Sequence, residues 1–227
     1  SSSLQAQGSP EVFSVTLTVF QPCTLQVVPG SLSFTVQQGQ PSSSQSFKIS
    51  ETGNCARPVS WTATGDSGSS TWLVLSSSSG NDRGRGSTVG VSVNPPATLL
   101  PGTYNGQITV SASGNGGAVV QNSPQAVAVT LTVTGFTVSG TVMACADQTC
   151  STPTPLPNAA VTLLSGTNTV ATTTADGSGN YSFSGVALGN YTVNASGSDN
   201  TGTHYTGSVP LSVVSDQSNF IVKVNQG

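Results

Sequence analysis

Residues 127–133 read V-A-V-T-L-T-V, with large apolar side chains alternating one for one with small or hydroxyl-bearing ones. Side chains on a β-strand point in turn to its two faces, so a period of two sends one face into a core and leaves the other to water. Comparable runs recur as LSFTVQQ, SQSFKIS, VSWTATG, WLVLSSS, TVGVSVNP and YNGQITVSAS. After Gly135 they continue as FTVSGTV, AAVTLLSG, TVATTTA, GNYSFSGV, GNYTVNAS, HYTGSVPLSVV and SNFIVKVN. Turn-forming stretches separate the runs, among them VPGS at 28–31, QQGQP at 37–41 and LLPGTYNG at 99–106. No run has helical periodicity. The pattern predicts an all-β protein of two tandem Ig-like β-sandwich domains, since 227 residues hold two units of about 100 residues each. The expected division is a tail over 1–20, a first sandwich over 21–135 and a second over 136–227, with almost no linker between the sandwiches.

The tail carries an additional strand. Residues 9–20, SPEVFSVTLTVF, nearly duplicate residues 123–134, SPQAVAVTLTVT. The copy keeps its face: Phe13, Val15, Leu17 and Val19 fall where Val127, Val129, Leu131 and Val133 fall, and threonines alternate with them in both. A copy in the same register offers the same apolar edge to any sheet that accepts it. One chain thus holds two candidates for one slot, and a spare strand that completes another molecule's sheet is the means of donor-strand complementation. Folding back onto its own domain as an extra edge strand is the competing fate.

Composition narrows the range of partners. Charged residues make up 6% of the chain and the formal net charge is -3. Five basic side chains cannot track a phosphate backbone, which argues against nucleic acid. No stretch approaches the roughly 18 to 20 apolar residues of a membrane span, so membrane insertion is not expected. The start SSSLQAQ, without Met or an apolar run, reads as an end left by leader removal, and IVKVNQG at the other end carries no anchoring segment. A hydroxyl- and amide-rich surface suits a secreted protein at the cell surface.

Cys23, Cys55, Cys145 and Cys150 split two and two between the expected domains. In a secreted chain an even count reads as two disulfides, most simply Cys23 with Cys55 and Cys145 with Cys150. Zinc is the rival, but the C-x4-C spacing and the distant lone His204 do not form a zinc-ligand pattern. No metal and no cofactor is expected.

LQVVPGSLSFTV, WLVLSSSSG, STVGVSVNPPATLLPGTYNGQITVSASG and NSPQAVAVTLTV, in that order over residues 24–134, resemble a BACON-type domain. The resemblance implies an Ig-like sandwich of bacterial extracellular proteins, serving as a spacer or in a carbohydrate role. SGTV, PLPNAAVTLL, TTTADGSGNYSFSGVALGNYTV and FIVKV, over 136–224, resemble a carboxypeptidase regulatory-like domain with a transthyretin-like fold. That resemblance implies a non-catalytic accessory or stalk module. The second unit is also similar to collagen-adhesin B-type repeats, but no Glu follows Glu51 and Lys223 lies on the last strand, which speaks against their isopeptide chemistry.

Several residues carry a bland and a sharp reading. Trp61 and Trp72 are the candidate carbohydrate contacts, yet both alternate with apolar partners as core residues do. Arg83 and Arg85 in NDRGRG read as a solvated hairpin tip, or as an intersubunit contact to an acid such as Asp66 or Glu51. Lys48 joins an isopeptide bond only if it is buried beside an Asn or Asp and an acid. The turn Asp176–Asn180 offers one carboxylate where calcium takes about six to eight oxygens, so a hairpin is expected. Asn180, Asn190 and Asn194 each open an N-x-[ST] sequon and are candidate glycosylation sites. The loop CADQTCSTPTPLP is expected at the surface. His204 has neither a G-x-S-x-G nucleophile loop nor an H-E-x-x-H motif to work with, so no enzyme is expected.

These features point to a structural subunit of an extracellular filament, pilus or surface assembly, a head-to-tail homopolymer formed by strand donation. Its rivals are a carbohydrate-binding adhesin with glycan partners, and a spacer module of a larger surface protein.

Overall fold

A computed structural model describes residue 8 and residues 11–42, 44–147 and 149–227. Of the tail expected over 1–20, residues 1–7, 9 and 10 lie outside the described residues, as does Gln148 in the cysteine loop. The described chain is all-β, without an α-helix, and its sheets curl into sandwiches.

The first unit contains β1 (Thr24–Val28), β2 (Ser31–Gln37), β3 (Gln45–Thr52), β4 (Val59–Gly65), β5 (Leu73–Leu75), β6 (Ser79–Asp82), β7 (Ser87–Val93), β8 (Gly102–Ser113) and β9 (Gln125–Thr134). They form one sheet of order β1-β3-β7-β5 and another of order β2-β9-β8-β4-β6. The alternation in the sequence is the alternation in burial: Leu32, Phe34 and Val36 point inward from β2 while Ser31, Ser33 and Thr35 face out. Val127, Val129, Leu131 and Val133 of β9 meet them in a core shared with Phe47, Ile49, Val89 and Val91.

One break falls where the turn VPGS places it, and one run departs from expectation. The chain between Thr24 and Gln37 changes sheets at Pro29-Gly30, because proline lacks the N–H a ladder needs. WLVLSSS, expected as one strand, is a strand only at Leu73–Leu75, and the strand that follows, β6, begins after the run at Ser79 and belongs to the other sheet. Serines 76–78 between them offer no apolar side chain to hold a face inward.

The second unit contains β10 (Phe136–Cys145), β11 (Thr154–Pro155), β12 (Ala160–Ser165), β13 (Asn168–Thr174), β14 (Asn180–Val186), β15 (Gly189–Ser198), β16 (His204–Val213) and β17 (Gln217–Gln226). The strand order is β11-β10-β17-β16-β15-β12-β13, with β14 on β10. β16 and β17 pair only where Tyr205 and Thr206 meet Gln226 and Asn225, so the ladder divides there into two layers around a second core. That core includes Val138, Val161, Leu163, Phe183, Val193 and Val222.

β9 ends at Thr134 and β10 begins at Phe136, leaving Gly135 alone between the units. Gln38, 2% exposed, bridges them: its Nε2 donates to Ala97 O at 2.8 Å and its Oε1 accepts the Leu188 N–H at 2.7 Å.

Candidate self-assembly site

Residues 11–20 belong to no strand and are exposed at every position. Phe13, Val15, Leu17 and Val19 are 79–91% exposed, whereas their counterparts Val127, Val129, Leu131 and Val133 are 0–2% exposed. The same pattern is therefore present twice, once satisfied in a sheet and once not. Val12 and Phe20 extend the apolar exposure to both ends of the segment.

The body begins abruptly after Phe20. Asn54 N–H donates to Gln21 O at 3.0 Å, and Cys23 is bonded to Cys55. The other expected bridge, Cys145 to Cys150, is also formed. From Cys23 onward β1 is held on both edges. β3 pairs with one, and on the other Leu25 N–H donates to Gln121 O and Gln121 N–H to Cys23 O. The Gln125 side chain completes that edge, taking the Val27 N–H at 3.0 Å and giving its amide N–H to Leu25 O at 2.7 Å. The chain's own sandwich is thus closed where the tail leaves it.

Behind this exit lies a buried acid pair. The Glu51 side chain is 0% exposed, and Arg57 Nη1 stands 3.5 Å from its Oε2. Neither Glu51 oxygen accepts a hydrogen bond from an N–H or O–H donor, and the Asp82 carboxylate is within hydrogen-bonding reach. Burial first, then Asp82, pushes the Glu51 carboxyl up to about 7 against the pull of Arg57. Asp82 moves the other way. Burial would raise it, but the Glu51 hydrogen bond and the N–H groups of Gly84, Arg85 and Gly86, at 2.7 to 3.0 Å, hold it below its ordinary range. Below about pH 7 Glu51 is held in its protonated form, and Asp82 fixes the Arg83–Gly86 loop through the N–H groups it accepts.

That arrangement corrects one expectation. Arg83 and Arg85 are exposed, but the acids proposed for them are occupied within the chain. Glu51 faces Arg57 and Asp82, while Asp66 accepts the Ser69 N–H at 2.8 Å and the Gln107 N–H at 2.9 Å. Lys48 is exposed and lacks the buried setting an isopeptide bond requires.

The carbohydrate contacts expected at Trp61 and Trp72 are also corrected. They are 5% and 3% exposed, and a methyl group added at Gly80 or Gly106 would collide with the respective indole. The glycine backbones thus cover the rings that a sugar would stack on. Trp61 Nε1 is spent on Ser87 Oγ at 3.0 Å.

The expected hairpin is not formed: β13 and β14 on either side pair with β12 and β10 and not with each other, and the segment is a tight turn in which Asp176 Oδ1 accepts the N–H groups of Ser178 and Asn180, each at 2.8 Å. Among the described residues no cluster of three or more His, Cys, Asp or Glu could hold a metal. Of the sequon asparagines, Asn180 and Asn190 are exposed and Asn194 is half-buried. Asn180 accepts from Thr141 Oγ1 at 3.0 Å, and Asn194 has its Oδ1 buried without a donor. Asn194 lies in a shallow groove of about 510 Å³ across β12, β15 and β16, beside Thr162, Ser196 and Thr206. His204 is exposed, 3.4 Å from Ser198 Oγ. Among the described residues no helix is long and apolar enough to cross a membrane.

Residues 137–220 match the carboxypeptidase regulatory-like domain. That match runs from β10 into β17, and the Asp176 turn lies within it. A search of curated proteins finds no match to the chain.

Among solved structures the chain is similar to the major pilin subunit BcpA of Bacillus cereus, at 10% identity and TM-score 0.35, covering 90% of this chain and 70% of that one. It is similar to the Bacillus anthracis TIE protein at 12% identity and TM-score 0.47, covering 92% of this chain and 42% of that one. A Pseudomonas aeruginosa chaperone gives 7% identity and TM-score 0.38, covering 82% of this chain and 100% of that one. At such values the likenesses say nothing of ligand or partner.

Proposed function

We propose that the protein is a structural subunit of an extracellular filament or surface assembly, in which residues 11–20 of one copy are added as a strand to another. A BACON-type sandwich and a carboxypeptidase regulatory-like sandwich form its non-catalytic body. One observation carries the reading: a segment that copies β9 keeps its apolar face in solvent, while β9 itself buries that face completely. An exposed strand of alternating Val, Leu and Thr without a charge among residues 12–20 is what natural edges are built to avoid, unless another chain takes it up. Strand addition supplies main-chain hydrogen bonds for affinity and alternate side-chain positions for register. A surface with 6% charged residues lets like molecules approach without strong repulsion. The two disulfides favour an oxidising compartment.

The test is removal of residues 1–20 from the otherwise intact chain, followed by electron microscopy and sedimentation. Fibres or higher oligomers formed by the full chain and lost on truncation are the expected outcome. Assembly that persists without the tail contradicts the reading. Leu17→Asp in the full chain should act like the deletion, because one charge on the apolar face cannot enter a sheet–core boundary.

A further inference from the structure

Building on that reading of the tail as donor, we infer that the acceptor is the free edge of β2 in a second copy. β2 is the end strand of its sheet and pairs only with β9, in parallel. Two bonds fix which residues face β9: Ala128 N–H donates to Gly30 O, and Gln38 N–H to Thr134 O. In a strand the N–H and C=O of one residue point to the same side and alternate along the chain. The even-numbered residues are therefore turned to β9, and Ser31, Ser33, Thr35 and Gln37 direct their main-chain groups outward. Among the described residues, two of those outward groups are engaged: Gln45 Nε2 donates to Ser33 O at 2.6 Å, and Gln40 N–H to Gln37 O at 3.0 Å. The strand, SLSFTVQ, has no proline and no charge to repel an incoming neighbour.

The fit of the donor sequence to β2 is already displayed inside the molecule. On its occupied side β2 places Leu32 beside Val129, Ser33 beside Thr130, Phe34 beside Leu131, Thr35 beside Thr132 and Val36 beside Val133. The tail repeats those five partners in order as Val15, Thr16, Leu17, Thr18 and Val19. A parallel copy on the other side renews the apolar row next to Leu32, Phe34 and Val36 and the hydroxyl row next to Ser33 and Thr35. Cross-strand pairs of this kind are the units that stabilise a sheet.

The other edges are less suited. β1 is closed by Gln121 and Gln125. β5 and β6 are three and four residues long. Pro210 interrupts β16, while Asn219 at φ 59 and Lys223 break and charge β17. β14 turns at Gly185, and β13 is bulged at Val170 and half-buries only Ala171 and Thr173.

The experiment uses single-cysteine variants of the full chain, whose four native cysteines are all in disulfides. Thr18→Cys and Thr35→Cys chains are mixed under assembling conditions and treated with a short bis-maleimide. The expected result is a mixed crosslinked dimer, lost when residues 1–20 are deleted from the Thr18→Cys chain, and weaker when Thr16→Cys replaces Thr18→Cys. In parallel, Thr35→Pro removes an N–H that has no partner among the described residues. It should leave a cooperatively melting monomer that donates its tail but does not accept one.

Tail-dependent fibres without the Thr18–Thr35 crosslink, and with Thr35→Pro still accepting, would overturn the β2 edge and leave strand donation standing. A stronger crosslink from Thr16→Cys overturns the parallel direction. Absence of any tail-dependent assembly removes both the donor reading and this acceptor.

Discussion

Glu51 and Asp82 are 31 positions apart in sequence, yet they share one proton beneath the Arg83–Gly86 loop. Glu51 holds its proton to about pH 7 in the folded chain, against an ordinary value of 4.5. Its contribution to stability is therefore full below pH 4.5 and is lost as pH rises through 7. Asp82, held low, contributes in the opposite sense and loses its contribution in acid. Stability should peak between these limits. Chemical denaturation followed from about pH 5 to pH 8 should show a loss of up to about 3 kcal/mol. Glu51→Gln, which keeps a donor toward Asp82 without a titrating proton, should flatten that slope; an unchanged slope would contradict the shared proton. No sequence motif announces this pair, because it exists only where β3 and β6 are brought together across the sandwich. The tryptophans were legible in part: alternation with apolar neighbours marked them as core, but the glycines that cover the indoles stand 19 and 34 residues from them.

Among the elements, those with strict alternation were read correctly from sequence, because a two-residue period leaves one way to bury a face. β9, β10 and β15 are of this kind. WLVLSSS was not, since its serines carry no period: the strand stops at Leu75, and β6, which no alternation announces, starts only at Ser79. The tail was legible as a strand only by comparison with β9; its exposure is a property of the folded body, whose first edge is already filled by Gln121 and Gln125. Truncation of residues 1–20 should leave the melting temperature of the monomer unchanged, since residues 11–20 are exposed throughout. A marked fall on calorimetry would mean that the tail packs on its own subunit. Cys23–Cys55 spans 32 positions, so its removal should cost about 3 to 4 kcal/mol in the chain-entropy description. Paired Cys→Ser substitution and urea denaturation would measure it.

For the whole molecule, scarcity of charge and continuity of chain govern behaviour. An assembly built from main-chain bonds and apolar rows should form equally well from about 50 mM to 1 M salt, and sedimentation of fibres across that range would reveal any dependence on ion pairs. Gln38 is anchored to Ala97 in its own sandwich and ties it to the second by one hydrogen bond, from Leu188 N–H, so Gln38→Ala should lower stability by about 1 to 3 kcal/mol and separate the melting of the two units. The short path from Phe20 to Cys23 also has a mechanical meaning. A pull on the tail reaches a covalent rivet within three residues, so tension passes directly to the β3–β4 turn that holds Cys55. β1 cannot be peeled off like the end of a zip, and a chain of such subunits should yield first at the joints between molecules.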